Sequence, residues 1–546
     1  MIRRIIVVVT LAIFIISPSS GQQADIIPSR SLTIEGEYNP NVAEASKIMP
    51  VPERKSVPAP RQSVKYILDD KPYAKFDRDF MGAYGTVTNK EYEYRGIARL
   101  GYGMNNNLDG LFDYTFNLSG NDRLRIEAQT QGWNAVLDRN WSSRFFNAGA
   151  GVIYTHQFRS FKFELDSQFG YENFNYRKGG LADSLFTADM EDIQNILLGS
   201  VNARIVSTGT DRLKFSLSTG WSGFGRDNLS GISVKNNENL FHLDGFLSFA
   251  YGEGELGLNY NQKMSYYDWN TWMYGVGYVN NASYHVSPFI TWQRDKITSK
   301  AGFHLDFVRG KREAVVISPD LSLFYRKSNK LSFLGKISGG VIDNGFRKLN
   351  AISPYWGESD QIEDGYSLAD LSVGMTYNLS SFASINIKGG FEFLWNEIFQ
   401  TVSDSLFINS YITQKNANVM YGEFSSLVSA GGFLDFNLFV GAYKWYSETG
   451  NDIFSYKPCL DINAKVRAKI FRTLFAKASF NYIFFSESGL KRIPAYTNLS
   501  MGLDYRYKDN LSIFLNFDNL LDRHYFHYAG YPSQRISFLA GVTYRF

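Results

Sequence analysis

Between Ser160 and Tyr171 the sequence reads SFKFELDSQFGY, and its alternate positions have opposite character. Phe161, Phe163, Leu165, Phe169 and Tyr171 fall on one face, while Lys162, Glu164, Asp166 and Gln168 fall on the other. A period of two is that of an extended strand, whose successive side chains point to opposite faces of a sheet. DRLRIEAQT repeats the pattern, with Leu124, Ile126 and Ala128 set against Arg123, Arg125, Glu127 and Gln129. Segments of this kind, 10 to 16 residues long, follow one another from about Tyr92 to Phe546. Each needs a neighbour for its main-chain hydrogen bonds and an apolar medium for its greasy face. A β-sandwich or propeller would put the apolar rows into a core shared with a second sheet, and would tolerate charge-lined faces poorly over so many strands.

The start of the chain indicates the medium. Arg3 and Arg4 precede the twelve-residue run IIVVVTLAIFII, and Ser19 and Gly21 flank a cut before Gln22, so residues 1–21 read as a secretory signal peptide. The run falls short of the roughly 20 residues a membrane-spanning helix needs, and no other stretch approaches that length. An exported chain without such a helix nevertheless carries 44 Phe, 35 Tyr and 9 Trp, an aromatic load suited to membrane interfaces. The single cysteine, Cys459, cannot form an internal disulfide, so stability must come from another source. A net charge of +3 from 56 basic and 53 acidic residues gives no basic surface for nucleic acid.

Connections between the strand segments fix a topology. Ten short polar turns recur, at residues 119–122, 158–160, 209–211, 252–255, 294–296, 327–330, 378–381, 431–433, 471–473 and 508–510. Eleven connections alternate with them and are often longer, as at 177–193, 225–238, 342–365 and 398–415. Twenty-one connections imply about 22 antiparallel strands, with both ends of the series on the short-turn side. An even number of strands, short turns at one end and longer loops at the other, describes an all-β transmembrane antiparallel barrel of the outer-membrane type. The last segment, ISFLAGVTYRF, then closes the barrel by pairing with the first strand near residues 92–103. Its Ile536, Phe538, Val542, Tyr544 and Phe546 would face lipid, and no edge would remain. Pro288, Pro319 and Pro458 fall inside strand segments and are expected at bulges or strand ends, because proline removes a ladder donor.

The segment LSIFLNFDNLLDRHYFHYAGYPSQRISFLAGVTYRF, residues 511–546, resembles the C-terminal end of TonB-dependent receptors. The matching positions are Asn519, Leu520, Leu521, Asp522, Arg523 and Tyr525, then Gly530, Tyr531, Pro532 and Arg535, then Phe546. The resemblance implies an outer-membrane barrel whose terminal strand is read by the insertion machinery. It also marks a departure, since members of that family carry a folded plug of well over a hundred residues ahead of the barrel. Here about 70 residues separate Gln22 from the first strand, and seven of the 14 prolines lie between Pro28 and Pro72. Residues 22–91 therefore read as an extended periplasmic segment with no room for a plug. A barrel of 22 strands would measure roughly 40 Å across, so something else must fill its bore: that segment, inward-folded loops or a partner.

Candidate sites each have a functional and a plainer reading. Leu32, Thr33, Ile34 and Glu35, in SLTIEGEY, could pair with TonB by strand addition or serve only as an anchor or tether. Arg95, Arg99, Arg123, Arg125, Glu127, Lys162, Glu164, Asp166 and Lys477 would line the lumen, where they could select a solute or simply pair with one another. His524 and His527 near Asp522 have a spacing a metal could use, but no third ligand is evident, so an interfacial aromatic cluster is the better reading. The stretches 269–284 and 352–367 combine Trp and Tyr with Gly, Asn and Ser and are expected as external surfaces for partner or glycan contact. There is no GxSxG, HExxH, P-loop or CxxC motif, so neither an enzyme nor a cofactor is expected. Two functions follow as expectations. One is an accessory or scaffold barrel holding other outer-membrane, surface or periplasmic proteins; the other is a transport channel for a bulky solute. The setting is outer-membrane lipid and lipopolysaccharide, with both termini periplasmic.

Overall fold

The computed structural model describes residues 95–546, apart from 139–140, 176–192, 209–211, 230–231, 270–278, 359–361, 403–409, 431, 448–456, 486–494 and 529–530. The chain forms a closed antiparallel barrel of 22 strands, the number expected from the turns. Each strand pairs with its neighbours in sequence, and the last strand (Ser537–Arg545) closes on the first (Gly96–Gly103). In that seam Leu100 lies opposite Val542 and Ala98 opposite Tyr544. The other side of the last strand is filled by Leu511–Asp518, so both its edges are met. The amide of Arg95 donates to the Phe546 carbonyl at 2.9 Å, extending the seam to the end of the chain. Among the described residues no helix is long and apolar enough to cross a membrane.

Alternation of polarity puts one row of each strand outside and one inside. Leu165, Phe169, Val201, Leu217, Ile317, Val373 and Met420 stand exposed on the outer wall, as do Ile536, Phe538, Val542, Tyr544 and Phe546 of the closing segment. Asp113, Asn147, Glu172, Ser200 and Asp306 are buried on the inner wall. Shifting any strand by one residue would exchange the two rows, so the apolar belt fixes the register. Around the short-turn end Phe158, Tyr251, Phe382, Phe433, Phe471 and Tyr507 are exposed, forming an aromatic girdle of the kind that sits at a membrane interface.

The prolines are placed in three ways. Pro458 opens its strand beside a register shift, as expected. Pro288 instead lies mid-strand, paired to Leu258 on one side, where the ladder to the next strand skips from Val286 to Phe289 without losing register. Pro319 is also mid-strand, opposite Phe303, at the level where pairing with the following strand begins. The missing donors are thus tolerated by local gaps in pairing as well as by bulges and strand ends.

Candidate functional site

The bore is crossed by the connection that follows the thirteenth strand (Leu331–Ile342). This loop folds inward, forms the helix Phe346–Ile352 and the short strand Trp356–Glu358, and returns to the wall at Gly365. Phe346, Leu349 and Trp356 are fully buried, and they pack with Tyr355 and Ile362 against Phe174, Ile196, Phe224, Ile398 and Tyr531. Those partners come from several wall strands and from the last long loop, so the loop spans the mouth. Aromatic contacts dominate: the Phe346 ring lies 5.5 Å from that of Trp356 and 4.9 Å from that of Tyr267. Tyr355 stacks on Tyr531 of the last loop at 3.4 Å. The short strand adds parallel pairing, with Trp356 to Glu358 beside Ser410 to Ile412.

Polar ties fix this lid in orientation. The carboxylate of Glu238, on the strand Ile232–Tyr251, accepts the amides of Phe346 and Arg347, supplying from the wall the cap that Gly345 has no side chain to provide. A Cβ there would lie 2.3 Å from Oε1 of Glu238, so a larger residue would have to displace the capping carboxylate. Arg226, fully buried, donates from Nη1 to the Trp356 carbonyl at 3.1 Å and from Nε to Gln194 at 3.0 Å, with its guanidinium 4.8 Å above the Trp356 ring. Asn350 donates to Glu172 at 3.1 Å, and Lys263 bridges Asp343 at 2.8 Å. At the return to the wall Asp364 accepts from Asn281 at 2.6 Å and from the Asn344 amide at 3.3 Å. Burial, and then the neighbouring Asp343, push the Asp364 carboxyl up to about 6. Burial likewise lowers the Arg347 and Lys348 side chains, partly opposed by Glu238 and Glu397 respectively.

Beside the lid the lumen holds a cavity of about 1600 Å³. Glu127, Gln129, Asp166 and Gln168 line one side, Asp461, Asn463, Lys465 and Asn481 the opposite one, and Arg347 and Lys348 project from the lid. Such a surface can hydrogen-bond a polar solute or hold water.

The lumen residues named from the sequence mostly meet partners. Arg99 pairs with Asp109 at 2.8 Å; Arg125 takes Asp113 through Nε at 2.9 Å and Glu127 through Nη2 at 2.9 Å. Lys162 bridges Glu164 at 2.6 Å, Asp166 accepts from Gln168 at 3.2 Å, and Lys477 pairs with Asp504. Arg123 and Arg95 are exposed near the short-turn rim.

The C-terminal motif organises the last long loop. Asn519 is fully buried with φ +51°; its side chain donates to the carbonyls of Arg523 at 2.9 Å and Gln534 at 2.8 Å and accepts the Arg523 amide at 3.0 Å. The Leu520 amide donates to Leu499 at 2.9 Å. Asp522 receives both Arg535, at 2.7 Å through Nε, and the Ile536 amide at 3.2 Å, which hold its carboxyl down at about 2. Tyr525 is buried against Tyr496, and Pro532 lies in a short hairpin facing Phe526. Gly530 lies outside the described residues, as do Leu32, Thr33, Ile34 and Glu35. Among the described residues no cluster of metal-binding side chains is present around His524.

One expectation is corrected. The stretch 352–367 was expected as an external contact surface, but Tyr355 and Trp356 are buried in the mouth of the barrel. Their rings find more apolar area there than on a solvated loop. Phe346, Leu349 and Ile352, at helical spacing just ahead of them, were the signal available in the sequence. Most of the other stretch, 270–278, lies outside the described residues.

No family model and no curated protein matches the sequence. Solved structures do match in fold. Copper transporter OprC aligns with a TM-score of 0.62 at 13% identity, covering 83% of this chain and 80% of its own. The ferric-catecholate import receptor Fiu from E. coli K12 gives 0.61 at 12%, over 83% and 82%. The FrpB iron transporter from Neisseria meningitidis gives 0.64 at 10%, over 83% and 81%. The chain has the barrel fold of TonB-dependent receptors, in agreement with the C-terminal resemblance.

Proposed function

We propose that this protein is an outer-membrane barrel held shut by its own inward loop, serving as an accessory or scaffold subunit of a multi-protein outer-membrane assembly and not as an open pore. The observation that carries the proposal is the lid 343–364, whose apolar core joins opposite sides of the mouth. A solute channel that conducted passively would need that space. Ion pairs on the inner wall, such as Arg125 with Asp113 and Lys162 with Glu164, support the same reading, because a paired charge attracts a permeant less than a lone one. In this reading the protein is not an enzyme. It lies in the outer membrane of a Gram-negative cell among lipids and lipopolysaccharide, with Arg95 and Phe546 at the periplasmic end and the lid outside. Partners would be other outer-membrane, surface or periplasmic proteins.

Planar-bilayer recording tests it. The full chain is expected to show no stable conductance steps, and a variant lacking residues 345–358 is expected to show them. Steps of the same size from the full chain would overturn the closed-barrel reading. Mild-detergent purification should recover stoichiometric partner subunits, and a chain that always purifies alone would remove the scaffold role.

A second reading has its own support: the cavity of about 1600 Å³ and the transporters and receptors among the similar folds. A bulky solute would then enter by displacing the lid. Solute-dependent conductance, or uptake that stops without an energy-coupling protein, would favour it.

A further inference from the structure

Cations gather on one arc of the inner wall at its short-turn end. Arg467, on the strand Pro458–Lys469, stands directly opposite Lys477 of the strand Leu474–Phe485, and like charges set opposite each other across a ladder are destabilising. Phe475, buried on the inner face, sits at the centre of the group. From the middle of its ring the Arg467 guanidinium lies 4.8 Å away, that of Arg506 5.3 Å and the Lys469 ammonium 6.0 Å. An aromatic face attracts each cation, but it does not neutralise their mutual repulsion.

The arc continues past this ring. Arg506, Ser512, Thr543 and Arg99 form one row across the strands Tyr496–Arg506, Leu511–Asp518, Ser537–Arg545 and Gly96–Gly103, each directly opposite the next. Residues opposite each other share a face, so two hydroxyls lie between two guanidinium-bearing side chains. Ser512, Thr543 and Arg99 are 6%, 8% and 8% exposed, so these groups are built into the wall. Below the row Arg545 donates from Nη1 to the Ser512 hydroxyl at 2.8 Å, which leaves that hydroxyl its own proton to give. Acids answer part of the charge: Asp435 takes Arg467 at 3.6 Å, Asp504 takes Lys477, and Asp109 takes Arg99 at 2.8 Å. The turns add Arg472 and Lys508 against Asp509. Lys469 and Arg506 form no ion pair among the described residues.

We propose that this arc docks an acidic segment of a periplasmic partner protein. Charge complementarity sets the chemistry, since carboxylates can take both ends of the row bidentately and the hydroxyls between them. Width selects a polypeptide. From Lys469 to Arg99 the arc crosses six adjacent strands, five steps of ~4.8 Å or roughly 24 Å, which about seven extended residues cover and a single small anion does not. Facing excludes a lipid headgroup, because the alternate residues Met501, Leu503, Tyr505, Ile513 and Val542 form the exposed outer belt and turn the cations to the bore. The proposal rests on the scaffold reading for its periplasmic setting and supplies that reading with a contact surface.

Fluorescence anisotropy of a labelled decaglutamate peptide with the full chain in nonionic detergent tests it. Saturable binding is expected, weakening about tenfold as salt rises from about 50 to about 300 mM. Lys469→Gln with Arg506→Gln is expected to weaken it about tenfold, through two lost charge-assisted contacts. Arg326→Gln with Lys388→Gln removes the same charge elsewhere on the inner wall, more than a screening length away, and is expected to change affinity less than about twofold. Lys469→Arg with Arg506→Lys keeps the charge and is expected to keep the binding. Heat-modifiable mobility first confirms that each variant is a folded barrel. Absence of saturable binding overturns the proposal, as does an equal loss in both glutamine pairs, which would report net charge alone. Diglutamate binding as tightly as decaglutamate would reduce the arc to a site for a small oxyanion and overturn the extended occupant. Anisotropy does not read conductance: a barrel that conducts yet binds the peptide counts against the closed-barrel reading alone, and a closed barrel that fails to bind counts against this proposal alone.

Discussion

Trp356→Ala is the substitution that best separates the lid from the wall. The indole is fully buried, 5.5 Å from the Phe346 ring and 4.8 Å beneath the Arg226 guanidinium. Truncating a core Trp to Ala costs about 3–5 kcal/mol, of which a desolvated cation–π contact accounts for up to about 2. Arg226 would keep its bonds to Gln194 and to the carbonyl at position 356 but lose the ring below it. At about 1.4 kcal/mol per factor of ten, a loss near 4 kcal/mol raises the population of open lid about a thousandfold. The ring meets the wall through side chains such as that of Arg226 and takes no part in the main-chain ladders that hold the strands together, so heat-modifiable mobility and urea midpoint of the barrel should hardly move. The assay is hydrogen exchange at the amides of Leu349 and Ser353, beside single-channel recording. Exchange there is expected to accelerate about a thousandfold, with brief openings in the bilayer, while Trp356→Phe keeps most of the closure. Acceleration below tenfold would refute the role given to the ring. A fall in barrel stability by the full amount would refute the separation, showing loop and wall to be one cooperative unit.

Other outcomes follow from the same geometry. Gly345→Ala drives a Cβ to within 2.3 Å of the Glu238 carboxylate, and overpacking of this kind costs about 1–3 kcal/mol, so lid exchange should quicken in the same assay with the barrel intact. Asp522 has a folded-state pKa of about 2 against about 4 for an unfolded carboxyl, so what it lends the last loop is present at neutral pH and is lost as pH falls from about 4 through 2. Limited proteolysis between Asn519 and Ile536 by an acid-active protease should therefore rise over that interval, and Arg535→Met should remove the pH dependence. Val542→Arg sets a charge on the outer face of the closing strand, opposite Leu100, where arginine costs about 2–4 kcal/mol at membrane mid-depth; urea titration of folding into lipid vesicles should show a loss of that order.

Much of the wall was legible in the sequence because its determinants are local. Phe161 to Tyr171 alternate, and alternation alone assigns each side chain to lipid or lumen. The ten short turns fixed the strand number, and the terminal aromatic row pointed to closure. Asn519, Leu520 and Asp522 were legible as a motif, while their roles as an internal clamp on the last loop were not, because the partners Leu499, Gln534 and Arg535 depend on how that loop folds. Pro288 and Pro319, expected at bulges or strand ends, lie mid-strand, since a strand also tolerates proline where the ladder to its neighbour is interrupted.

By itself, then, the sequence determined the medium and the shape of the wall: period-two polarity, with aromatics outside and charges inside, has few solutions other than a closed sheet in lipid. Only the tertiary structure decided that a loop turns into the bore and what holds it there. A seven-residue helix is too short to persist alone. It forms here because Glu172, Arg226 and Glu238, more than a hundred residues earlier in the chain, arrive on the barrel wall to cap and hold it. Where its apolar side would settle was thus a property of the assembled barrel and not of the loop.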